Sequence, residues 1–284
     1  MEAGTNLIAG IGHRITSEED LLNHIPSIFS SNCDPRRSSR YSFIDTKEML
    51  EVFNKFGWEP YSGKQDGSSK FSRHIIRLQN LNMTNIPFDV DDVRPHIILD
   101  NSHNGSSYAQ IHIGLMRKVC SNGLVVDIPG MTDIIKFKHI GINTEELKHM
   151  LDGIIKQYSV IVNHVDNMQK TILDDKQKIE FVVRATAYRE PSRFINEGNI
   201  NVARVLKAID PEDILTPLRD DDKKNNLWML FNIVQEKMVK GEFHRFSESG
   251  RNANPRGIFN ANRGIIFNKA LWRLTEEYLY KNLN

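Results

Sequence analysis

The sequence predicts an α+β fold in which an antiparallel sheet of two β-hairpins packs on helices and a mostly helical C-terminal half follows. Three observations carry this. Turn-rich GKQDGSS (63–69) and Asn104-Gly105 each separate two runs of strand character, as hairpins require. From Thr144 the apolar spacing changes to 4, 3, 4, 3, 4, 3, 4 through Leu147, Leu151, Ile154, Tyr158, Ile161, Val165, Met168 and Ile172. The 284 residues, 39% hydrophobic and 26% charged with 17 Gly and 10 Pro, suit a globular chain with a sizeable core and exclude collagen-like, low-complexity and disordered classes. The reading divides the chain into an irregular N-terminal segment (1–40), an α+β core (41–140) and a helical region (141–284).

Element by element, SSNCDPRRSSR reads as loop, and Asp45 or Thr46 caps a helix to Phe56 that Gly57 ends. Trp58–Ser62 and Lys70–Leu78 pair as a hairpin, with Phe71, Arg73, Ile75 and Arg77 on one face. A type I′ turn at Asn104-Gly105 would place Asn101 opposite Tyr108, Leu99 opposite Gln110 and Ile97 opposite His112, sending Ile98, Ala109, Ile111 and Ile113 to the core. GLMRKVCSNG reads as a short helix with Arg117 and Lys118 outward. The heptad-like stripe favours a helix packed in a layer over a free coiled coil. Further helices are expected over 176–189, 199–209, 225–240 (stopped by Gly241) and 265–282. Between the last two lies 242–264, a long loop rich in Gly, Asn, Arg and Phe, of the kind that is usually functional or mobile.

The formal net charge is only +1, so its distribution matters more than its sum. Residues 36–77 carry nine Lys/Arg against five acids, and 223–273 carry ten against three, while 141–220 has eleven against thirteen. Both basic blocks interleave aromatics: Tyr41, Tyr61 and Phe71 in one, Phe243, Phe246 and Phe259 in the other. That mixture suits single-stranded nucleic acid, where cations neutralise phosphates and rings stack on unpaired bases. Each block also reads, more blandly, as a solvated surface.

Catalytic constellations are missing. Asp100, Ser102 and His103 lie on a strand that points Ser102 and His103 to opposite faces, without a nucleophile elbow. His96, His103 and His112 would split between faces and lack H-E-x-x-H or C-x-x-C company, so no metal site is assigned. The Asp pairs at 91–92, 174–175 and 220–222 read as caps and turns. Two cysteines, Cys33 and Cys120, make no disulfide framework. No cofactor is implied. Neither a signal peptide nor a long apolar span is apparent, which places the protein in the cytoplasm and off the membrane.

The strings SRYSFIDTKEMLEVFNKFGWEPY, FSRHIIRLQN, ILDNSHNGSSY, GLMRKVCSNGL, LTPLRDDDKKNNLWMLFNIVQEKMVKG and FNKALWRLTE together resemble the YfjQ/YafZ-type (DUF932-like) proteins of prophages and conjugative plasmids, from about Arg40 to Tyr278. The resemblance implies a mobile-element setting without a settled activity. A fainter likeness, in the order of Gly57-Trp58, Gly105-Ser106 and Arg117 to Leu124, is to Rad-type single-strand annealing proteins. It implies a curved sheet on a helix, oligomeric rings or filaments, and a basic groove for single-stranded DNA; the longer helical second half departs from that pattern.

The expectation is therefore a phage or plasmid protein that binds single-stranded DNA and promotes annealing in recombination, without catalytic chemistry and as a homo-oligomer. Its candidate contacts are Arg73, Arg77, His103, Tyr108, Arg117, Lys118, Arg251, Arg256 and Arg263. The alternative is a protein-binding anti-defence factor that engages a host or phage protein through the acidic residues Asp210–Asp213 and Asp220–Asp222.

Overall fold

The structure is a computed structural model, and it describes residues 13–80, 93–117, 123–125, 135–136, 144–247 and 250–283. In chain order the elements are β1 (His13–Arg14), α1 (Glu18–His24), a 3-10 turn (Pro26–Phe29), α2 (Thr46–Lys55), β2 (Trp58–Gln65), β3 (His74–Asn80), β4 (Val93–Asn101), β5 (Gln110–Arg117), β6 (Gly123–Val125), β7 (Ile135–Lys136) and α3 (Thr144–Lys170). Then come α4 (Asp175–Arg189), α5 (Pro191–Phe194), β8 (Ile195–Asn196), β9 (Asn199–Ile200), α6 (Val202–Ala208), α7 (Pro211–Leu215), α8 (Leu227–Lys240), β10 (Arg245–Phe246), β11 (Asn252–Ala253) and α9 (Ala261–Leu283). The α+β expectation holds: an antiparallel sheet ordered β1-β2-β3-β4-β5-β6, with β7 also on β5, is followed by helices. Among the described residues, no helix is long and apolar enough to cross a membrane.

The chain forms two compact units, Met1–Val160 and Ile161–Asn284. The division falls inside α3 rather than near residue 140. The reason is local: Tyr158, fully buried on the first half of α3, donates its hydroxyl to the carbonyl of His96 on β4 at 2.6 Å, tying that half to the sheet. Residues 14–40 likewise belong to the first unit, since Ile15 N donates to Tyr61 O at 2.8 Å.

Pairing across β2–β5 sorts the side chains into two faces. Ile76 pairs with Leu99, Leu78 with Ile97, and these continue to Ile111 and Ile113, so this face is apolar and buried. α2, whose Met49 and Phe53 are buried, packs on β2 and on the 3-10 turn. Gly63 makes the approach possible: a Cβ there would collide with Ile25 Cδ1 and stand 2.8 Å from Ile75 O. α2 starts as its sequence requires, with Asp45 Oδ1 accepting from Lys47 N at 2.8 Å and Glu48 N at 3.2 Å.

Two local expectations are corrected. The Asn104-Gly105 segment does turn, with Gly105 at φ 72° and Asn104 Oδ1 accepting from Ser106 N, but the strands end before it. Leu99 therefore pairs with Ile111 and Ile98 with His112, one residue out of the expected register, and Ile97 and Leu99 move to the apolar face while Ile98 leaves it. Tertiary bonds outcompete the tight turn: Asp34 N donates to His103 O, His103 N to Phe71 O, and Tyr41 Oη to Ser102 O. Second, Gly114–Arg117 is strand rather than helix, because β4 reaches back to Val93 and its backbone is paired by Met116 and Arg117. The rest of the expected helix, including Lys118 and Cys120, lies outside the described residues.

The stripe on α3 is buried at Leu151, Ile154, Tyr158, Ile161, Val165 and Met168; Ile172, beyond the helix end, is 65% exposed. α4 opens with a capping box at Asp174 and Gln177, and α8 ends at Gly241 in the left-handed conformation. A Cβ on Gly241 would strike Pro255 O, so glycine is also what lets the 255–257 segment pack on the end of α8.

Candidate functional site

The sequence-selected residues of the first unit separate into three settings. Arg73 donates from Nε to Asp100 Oδ1 at 2.8 Å and from Nη2 to Oδ2 at 2.5 Å, a bidentate pair with only 11% of the arginine side chain exposed. Arg77 and His103 are buried, at 4% and 0% exposure, so neither lies on an open strand face. That corrects their reading as surface contacts: period-two alternation places Arg77 on the second sheet face, but that face is itself covered. Tyr108, 68% exposed, sits in the 102–109 loop instead of on a strand. Arg117 closes β5, and Lys118 is outside the described residues.

His103 belongs to a buried hydrogen-bond network. His74 Nδ1 lies 3.0 Å from Ser72 O and 2.8 Å from Ser27 Oγ, and a carbonyl partner requires that nitrogen to donate. His74 Nε2 must then accept from Thr46 Oγ1 at 2.8 Å. The Thr46 oxygen in turn accepts from Asn101 Nδ2 at 2.8 Å and from His103 Nε2 at 3.2 Å. An accepting Nε2 beside a donating Nδ1 requires the His74 imidazole to be neutral. Burial, then the neighbouring His103, pushes His74 down to about 3, and burial lowers His103 as well. The Ser-His-Asn-Gly-Ser loop is thus a structural knot joining β3, β4 and α2. Around it Arg37 packs on Gly105, and Arg37, Arg40 and Lys70 are exposed.

In the second unit the loop that follows α8 is held in place. Arg189, buried at the end of α4, donates from Nε to Met238 O (2.8 Å), from Nη2 to Arg256 O (2.6 Å) and from Nη1 to Glu190 Oε1 (2.9 Å). Ile258 N donates to Val239 O. Glu190 also receives Arg245 Nη1 at 2.9 Å and faces Arg193 Nη1 at 3.6 Å. One carboxylate thereby serves three guanidinium groups. Arg263 is near enough to depress the Arg189 pKa, behind the larger effect of burial. Arg251, Arg256 and Arg263 are all exposed, and among the described residues none forms an ion pair. Phe259 between them is 61% exposed, whereas Phe243 is core under Arg189 at 5.4 Å.

Sequence reasoning found the loop arginines but missed Arg189, Glu190, Arg193 and Arg245 as their setting. The signal was the Arg-Glu-Pro-Ser-Arg string at the end of α4; its link to residues 245–258 is long-range. The acidic residues of the alternative reading prove largely engaged. Arg219 binds Asp222 at 3.0 Å and Glu236, Lys240 binds Glu236 at 2.5 Å, and Asp213 accepts from His244 N at 2.7 Å. Among the described residues, no group of three His, Cys, Asp or Glu is placed to hold a metal ion. The corrected register does put His96 and His112 on one face, contrary to the expected split.

Fold and site together define an α+β protein: an antiparallel-sheet unit carrying a buried polar face, and a helical unit displaying an arginine-rich loop. The chain belongs to the family described as Domain of unknown function (DUF932), whose profile matches residues 35–259. Its similarity to the UPF0380 protein YafZ of Escherichia coli (strain K12) is 26% identity over 281 residues, 94% of this chain and 92% of the relative. The UPF0380 protein YfjQ of the same strain is 26% identical over 278 residues, with the same shares. No solved structure matches the chain.

Proposed function

We propose that this protein binds single-stranded DNA and promotes the annealing of complementary strands, in the recombination of a mobile element, without covalent chemistry. The observation that supports this reading best is the arginine excess of the second unit: Arg189, Arg193 and Arg245 share Glu190, and the exposed Arg251, Arg256 and Arg263 have no described acid of their own. Such a surface attracts a polyanion, and the anchored backbone at Arg256 presents it without a large ordering cost. Exposed Phe259 offers a ring to an unstacked base, which favours single strands over duplex. In the first unit Arg37, Arg40, Lys70 and Tyr108 are exposed as well, basic and aromatic side chains of the same chemistry. Holding two strands while they pair needs phosphate neutralisation and no nucleophile or metal. The protein-binding reading gains no comparable observation, since Asp213 and Asp222 are engaged internally.

The test is a triple variant, Arg251→Gln, Arg256→Gln and Arg263→Gln. Folding should persist, because the three side chains are exposed. Affinity for a single-stranded oligonucleotide should fall about 10- to 1,000-fold, with the salt slope reduced by up to about two units. Unchanged affinity and slope in the folded variant would remove this loop from the site.

A further inference from the structure

The second face of the sheet holds a polar row that the hydrogen-bonded structure leaves unsatisfied. Ser62 pairs with Arg77, Arg77 with Ile98 and Ile98 with His112, so Ser62, Arg77 and His112 lie on one line across β2, β3, β4 and β5. His96, two residues from Ile98, shares this face. All four are at least 95% buried. Among the described residues, Ser62 Oγ, Arg77 Nη1 and both ring nitrogens of His96 and of His112 have no hydrogen-bond partner. Buried polar groups are nearly always paired, and a buried guanidinium without a counter-charge is costlier still.

No internal acid of the described residues answers Arg77. Asp100, on the same face, is taken by Nε and Nη2 of Arg73 and by Ser107 Oγ at 3.1 Å. Its Oδ2 also faces His112 Nε2 at 4.0 Å, so His112, three strand spacings or about 14 Å from Ser62, belongs beside Asp100. Glu59, opposite Gln79, is exposed. What Ser62, Arg77 and His96 offer is donors around one positive charge: a hydroxyl, a guanidinium branch and one N–H from the neutral His96 imidazole. That set repels a metal cation and fits an acceptor carrying negative charge on several oxygens.

We propose that Ser62, Arg77 and His96 form an internal site for a small oxyanion of the phosphate or sulfate type. It is separate from the arginine loop and from the DNA reading, involving other residues in the other unit. The small size follows from the burial, which leaves no surface on which a polymer could lie. Burial pulls the Arg77 pKa down to about 10 and that of His96 well below its ordinary value, so before binding the site holds one cation flanked by neutral donors.

The experiment is thermal unfolding and titration calorimetry of the full chain in phosphate, in sulfate and in chloride of matched ionic strength. Phosphate or sulfate at about 20 mM should raise the unfolding midpoint by about 3 °C or more over chloride. The stronger of the two identifies the preferred anion. Arg77→Met, which removes the unpaired charge at similar volume, should unfold no earlier than the parent in chloride and should lose the response. Ser62→Ala keeps the charge and should weaken the calorimetric affinity about fivefold or more, whether or not the methionine variant folds. Equal midpoints in all three salts, or a response kept by Arg77→Met or undiminished in Ser62→Ala, would overturn the proposal.

Discussion

At the scale of single residues, Thr46 is where three elements are joined. Its hydroxyl donates to His74 and accepts from Asn101 and His103, all buried. Thr46→Val keeps the shape and strands those partners, so equilibrium unfolding should show a loss of about 2 to 4 kcal/mol, at one to three for each orphaned polar group with partial relaxation. The same network fixes a pH dependence. His74 has its folded pKa depressed to about 3 from an ordinary 6.5, so between those values the unfolded chain binds more protons. The stabilisation is complete above about pH 6.5 and is lost as pH falls toward 3, with His96 and His103 shifted in the same direction. Urea midpoints should therefore drop steadily from pH 7.5 to 5, and less steeply in His74→Gln. A flat profile would mean that the histidines are not held neutral.

Among elements, α3 makes the firmest demand. Ile154 and Ile161 are buried in the first and second units respectively, at 0% and 1% exposure. Burying an Ile contributes about 1.5 to 3 kcal/mol, and an aspartate in its place adds the cost of an unpaired charge. Either Ile154→Asp or Ile161→Asp should leave the protein unfolded or aggregated by circular dichroism and gel filtration; two well-folded variants would refute the helix phase. This element was legible because a 3.6-residue period needs only its own sequence. So was α2, whose cap residue Asp45 and terminating Gly57 are local. The β4–β5 register was not, since it depends on Asp34, Tyr41 and Phe71 bonding to a loop distant in sequence. Arg77 illustrates the same limit at the site. Alternation correctly assigned its face, but nothing local to β3 tells whether that face is wet. The arginine loop was legible in composition, whereas its anchoring by Arg189 and Glu190 depends on contacts with the end of α4.

For the whole molecule, a formal charge of +1 hides an uneven distribution, and the account stands on that unevenness. Arg251, Arg256 and Arg263, exposed and without an ion pair among the described residues, and the exposed rings of Tyr108 and Phe259 are the features that a flexible polyanion with unstacked bases would use. Annealing then requires more than binding: two complementary strands must be held without being locked, which suits backbone contacts over base readout. The most direct measurement is equilibrium binding of the purified chain to single-stranded and double-stranded oligonucleotides of the same sequence across a salt series. The account predicts tighter binding of the single strand by at least about tenfold and a steep negative slope of log affinity against log salt. Equal affinity for the two forms, or affinity indifferent to salt, would contradict it.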